Sequence, residues 1–70
     1  MMEDKATFVD EFGRLLARNG VGDVVKLEYI MDKALWRESV IIHFRGGGQR
    51  TVNVSADSIP AMIRDIMKHI

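Results

Sequence analysis

Cysteine is missing from these 70 residues, and with it go disulfide staples and every zinc or iron–sulfur site built on thiolates. Net charge is missing as well. Ten Lys+Arg balance ten Asp+Glu, a poor foundation for a nucleic-acid binder, whose affinity rests largely on phosphate neutralisation. No apolar run approaches the ~18–20 residues of a membrane span. The opening Met1-Met2-Glu3-Asp4 is acidic where a secretory signal would be basic, so a cytoplasmic location is expected. Proline occurs once, and no repeat, linker or low-complexity segment is visible.

What is present reads as one α+β domain over residues 1–70. The hydrophobic fraction of 47% and charged fraction of 29% are ordinary for a folded domain and argue against disorder. A domain of this size buries only roughly 60% of its unfolded surface, so the core or a partner chain must supply all the stability.

The chain opens on a helix from about Asp4 to Asn19. Phe8, Phe12, Leu15 and Leu16 make its apolar stripe, Asp10, Glu11, Arg14 and Arg18 take the other face, and Asn19-Gly20 stops it. Gly13 weakens a helix by about 1 kcal/mol relative to alanine, which close packing against a neighbour explains. Residues 24–31 alternate as a half-buried strand, Val25, Leu27, Tyr29 and Met31 against Val24, Lys26, Glu28 and Ile30. The same stretch also carries a fair helical stripe through Leu27, Ile30, Met31, Ala34 and Leu35, so the alternative is a helix over 24–36. Val40, Ile42 and Phe44 share one strand face, with Ile41, His43 and Arg45 opposite. Val52 and Val54 share a face of the next strand, and Gly46-Gly47-Gly48 between the two strands makes a hairpin turn. A phosphate-binding loop would open a helix and end in Lys followed by Ser or Thr; this glycine run leads into a strand. The last helix is the clearest element. Ile59, Met62, Ile63, Ile66, Met67 and Ile70 repeat at helical period, Asp57 or Ser58 caps it, and Pro60 fixes its first turn.

The expected architecture is therefore α-β-β-β-α, a three-stranded antiparallel meander with both helices on one face. The alternative is α-α-β-β-α. The uncovered face would hold Val24, Ile30 and Ile41 among Lys26, Glu28, His43, Arg45, Thr51 and Asn53.

Little here can carry catalysis. Ser39, Ser55 and Ser58 are the serines, none in a nucleophile elbow, and capping accounts for Ser55 and Ser58. His43 and His69 share no metal-ligand spacing with each other or with Asp57 and Asp65. Asp10-Glu11 lies on a solvated helix face, unsuited to acid–base work. No catalytic residue, cofactor or metal is expected. The basic residues gather between 33 and 50, as Lys33, Arg37, Arg45 and Arg50 against Glu38 alone. Trp36, beside Leu35 in that stretch, either folds over the edge of the core or joins an exposed apolar patch.

Two resemblances attach to these patterns. The element order across the whole chain resembles the double-stranded RNA-binding domain. That family places a lysine cluster at the start of its second helix; the matching stretch here is Ser55-Ala56-Asp57-Ser58-Ile59-Pro60, so the likeness implies topology and carries over no binding residue. The segment TVNVSADSIPAMIRDIMKHI, with RESVIIHFRGG before it, resembles the C-terminal half of short bacterial proteins found in prophages and mobile elements. That likeness implies a bacterial cytoplasmic setting and no activity.

The functional expectation is a small non-enzymatic protein-interaction or homo-oligomeric module. Leu35, Trp36 and Ile41 are the candidate interaction surface and a homodimer is the favoured assembly, with another protein as a possible partner. The alternative is a nucleic-acid-associated protein contacting phosphates through Lys33, Arg37, Arg45 and Arg50.

Overall fold

The computed structural model describes residues 4–70; Met1–Glu3, read above as an acidic start without a secretory pattern, lie outside the described residues. The elements follow in the order α1 (Lys5–Arg18), a short 3-10 turn (Val21–Asp23), β1 (Val24–Asp32), β2 (Arg37–Phe44), β3 (Gln49–Asn53) and α2 (Ile59–Lys68). This is the α-β-β-β-α arrangement, and the helical alternative for 24–36 is not adopted. The strands form one antiparallel sheet in the order β1-β2-β3.

Local chemistry sets each boundary. Asp4 caps α1, its side chain accepting from the Thr7 N–H, and Asn19 closes it. Ser58 is the N-cap of α2, its hydroxyl oxygen accepting from the Ala61 N–H, and Pro60 sits in the first turn, where no N–H is required. Gly46 and Gly47 stand at φ 93° and 97°, conformations that a side chain would strain. They let the Phe44 N–H reach the Gly48 carbonyl at 2.8 Å and close the hairpin.

The register joins the inward-facing side chains. Leu27 pairs with Ile42, and Tyr29 with Val40; Val40 then pairs with Val52. Over this face lie Val9 and Leu16 of α1 and Met62 and Ile66 of α2, all in one buried cluster with Val24, Leu27, Val40, Ile42, Val52 and Val54. Both helices thus cover the same side of the sheet.

Three assignments from sequence change. The buried stripe of α1 is Val9, Gly13 and Leu16, with Phe8 and Phe12 half-buried at its margin and Leu15 exposed. The helix is rotated toward Gly13 because a Cβ there would come within 2.8 Å of the Leu27 amide nitrogen; glycine is what allows α1 to sit directly on β1. Val24 is buried, not on the open face. The pairing shifts between Val24 and Lys26, so Val25 is the extra residue of a β-bulge, and parity inverts across it. Ser55, finally, is no helix cap: its hydroxyl accepts from the Glu38 N–H at 2.9 Å, tying the β3–α2 connection to β2.

Candidate interaction surface

Of the seven large apolar side chains that the fold leaves exposed among the described residues, Leu15 of α1 and Met67 of α2 stand on the helices and the other five fall on one stretch of chain. Val25, Ile30 and Met31 of β1 are exposed, and so are Leu35 and Trp36 of the turn that follows it. All five lie along one edge strand and its continuation. The turn is built by Asp32, whose Oδ1 accepts from the N–H groups of Ala34 (3.0 Å) and Leu35 (3.2 Å), an arrangement natural to aspartate. Trp36 completes it at φ 52°, a left-handed conformation that costs a non-glycine residue about 1–2 kcal/mol. The turn therefore holds an indole 79% exposed, with Leu35 63% exposed beside it, where glycine would be conformationally easier. Of the two positions open to Trp36 from sequence, the structure takes the exposed one. Ile41, the third residue of the expected surface, is half-buried on the outer sheet face between its partners Glu28 and Thr51. It stands four residues along β2 from Arg37, roughly 13 Å from the turn, so Leu35 and Trp36 are brought together and Ile41 is separate.

The four basic residues are not gathered. Lys33 is in the β1–β2 turn and Arg37 begins β2, whereas Arg45 follows the other end of that strand, eight residues away, or roughly 26 Å of extended chain. Arg50 turns to the helix side. It lies 5.9 Å from the Phe44 ring centroid and donates to the His69 carbonyl at 3.2 Å, neutralising the C-terminal end of α2. The open groove of about 440 Å³ beside it, lined by Gly22, Phe44, Gly48, Gln49, Arg50 and Ile70, thus presents a guanidinium that is already engaged.

A polar clamp missed from sequence lies under the start of α1. Glu38 accepts from the Tyr29 hydroxyl, from Lys5 Nζ at 3.0 Å and from the Ala56 N–H at 3.2 Å. The Tyr29 hydrogen bond holds the Glu38 carboxyl below its ordinary 4.5, while burial opposes it and Lys5 assists. Burial first, then the bond to Glu38, pushes the Tyr29 hydroxyl up to about 12. A carboxylate with both oxygens occupied and a phenol so weakly acidic suit neither half of acid–base catalysis near neutrality. What the clamp does is mechanical: it fastens α1, β1, β2 and the β3–α2 connection to one side chain. Nearby, Asp57 has a buried oxygen without a hydrogen-bond partner, and its carboxyl is raised by the neighbouring Asp65.

On the open face His43 Nε2 meets Glu28 Oε1 at 3.1 Å, and His69 Nδ1 lies 2.8 Å from the Asp65 carbonyl oxygen. Among the described residues no three His, Asp or Glu side chains are grouped to hold a metal, and no helix is long and apolar enough to cross a membrane.

The fold and this surface define an α+β domain with one open sheet face and an apolar edge strand. No family model matches the chain, and neither a curated protein nor a solved structure matches it.

Proposed function

We propose that the chain is a small non-enzymatic interaction module that works as a homo-oligomer, most simply a dimer, through the apolar surface running from β1 into the β1–β2 turn. The observation that carries this reading is the position of Leu35 and Trp36, 63% and 79% exposed on a strained turn. Exposed apolar clusters on small domains mark contact surfaces, and tryptophan is among the side chains that contribute most when an interface buries it. A domain this small also gains much from burying surface against a copy of itself.

Sedimentation equilibrium at micromolar concentration is the test. The expected result is a mass above the 7.9 kDa of one chain that rises with concentration, and Trp36→Ala should lower it. A concentration-independent 7.9 kDa would end the self-association reading.

A further inference from the structure

We propose that two copies pair antiparallel through the outer edges of β1, about a twofold axis at Tyr29, so that two three-stranded sheets become one of six strands. The proposal rests on the self-association reading above and adds where the copies meet and in which register.

The main chain says which groups are available. Glu38 spends its N–H on Ser55 and its carbonyl on the Val54 N–H, both on the β3 side, and the Phe44 N–H likewise turns to Gly48. The even-numbered residues of β2 therefore face β3, and the odd-numbered ones face β1. Their partners on β1 are Lys26, Glu28 and Ile30, opposite His43, Ile41 and Ser39. By the alternation of an antiparallel ladder, Leu27, Tyr29 and Met31 direct their N–H and carbonyl groups away from the sheet. Nothing in the sheet lies beyond β1, and α1 sits over its inner face at Leu27.

The side chains choose the register. With the axis at Tyr29, Lys26 faces Asp32 of the second copy, Leu27 faces Met31, and Glu28 faces Ile30. Each copy's Lys26 thus meets an acid, and no like charges oppose. Moving the axis one residue either way sets Glu28 against Glu28 or against Asp32, which destabilises a pair. An axis at Leu27 would draw the bulge at Val25 into the ladder, whereas the Tyr29 register uses only the regular stretch from Lys26 to Asp32. It also disposes of the exposed apolar groups at both ends. Past Asp32 the turn bearing Leu35 and Trp36 comes alongside the second copy's Val25, itself 47% exposed, and the symmetry repeats that contact. Roughly six main-chain hydrogen bonds join the copies.

The chain has no cysteine, so introduced thiols are the only ones. Glu28 and Ile30 of opposite copies form a non-hydrogen-bonded pair with Cα atoms about 4.5 Å apart, within disulfide reach. Under mild oxidation at micromolar concentration, Glu28→Cys/Ile30→Cys should give a covalent dimer on a non-reducing gel, and either single substitution should give far less. A charge cycle supplies a second reading that needs no new bond. Lys26→Glu should weaken the dimer roughly tenfold by setting acid against acid. Asp32→Asn, which keeps the turn's acceptor oxygen, should weaken the native dimer but strengthen the Lys26→Glu one. Ile41→Glu, on the outer face and away from the edge, should leave association within about threefold. If a dimer forms without the disulfide and without the reversal of sign, the edge pairing is wrong while the module reading stands. Loss of the dimer in Ile41→Glu would likewise move the interface to the open face. A monomer throughout removes both.

Discussion

The two edges of this sheet are built to opposite specifications. β3 is five residues long and turns Gln49, Thr51 and Asn53 to solvent, the short polar design by which folded proteins keep an edge from pairing. β1 is nine residues long, carries Val25, Ile30 and Met31 exposed, and runs into Leu35 and Trp36. Nothing about three strands requires this asymmetry. One edge of the same sheet has the features that discourage pairing, and the other lacks them, as the proposed pairing requires. Changes within the core should therefore act on folding and changes along β1 on association, a separation that substitutions can test.

The largest effect belongs to the core. Ile42 is fully buried between the two helices' contributions, and Ile42→Ala should cost about 2–5 kcal/mol in urea unfolding. A cost below about 1 kcal/mol would mean that the shared core does not hold the sheet together. Next comes Gly13→Ala. Helix propensity alone would favour it by about 1 kcal/mol, yet its Cβ would meet the Leu27 amide at 2.8 Å, so a net loss of about 1–3 kcal/mol is expected. A gain in the same denaturation assay would show that α1 can lift off β1 freely.

Glu38→Gln should cost about 1–3 kcal/mol at pH 7 by weakening the clamp. Glu38 titrates below its ordinary value when folded, so its contribution is complete above about 4.5 and is lost as the pH falls through the folded value. The acid limb of the native stability curve should therefore be steeper than that of the Gln variant, and identical limbs in acid titrations followed by circular dichroism would remove the clamp's role. The smallest effect on folding is expected at Trp36→Gly. Glycine relieves the left-handed strain and should stabilise the monomer by up to about 1 kcal/mol, while the dimer weakens by at least about tenfold. Opposite signs from one substitution would be the clearest sign that this edge serves association, and parallel changes would erase the contrast between the edges.

Much of this plan is legible in the sequence. The hairpin glycines, the Ser58 cap with Pro60, and the period of α2 each act within a few residues, and local sequence sufficed. The errors share a cause. Strict alternation places Val24 outward because it counts every residue, and the bulge at Val25 depends on how β2 pairs. The apolar pattern places Leu15 inward because Gly13 offers no apolar signal, although its lack of a side chain is what brings that face of α1 onto Leu27. The Glu38 clamp was invisible because its partners Tyr29 and Lys5 lie 9 and 33 positions away. For the surface, exposed Leu35 and Trp36 agree with one of the two readings open from sequence, Ile41 stands apart from them, and the basic run from 33 to 50 proves to be close only in sequence, because an extended strand carries its two ends apart.

Trp36 has a consequence for anyone who follows this protein by light. It is the chain's single tryptophan, and in the folded monomer its indole is already in water, as it would be in the unfolded chain. Its emission should scarcely register unfolding of the monomer, and a fluorescence melt would give a flat trace from a domain that is cooperatively losing its core. Association, by contrast, would take the same indole out of water and shift its emission to the blue. If the proposed pairing holds, the natural fluorophore is a gauge of company rather than of shape.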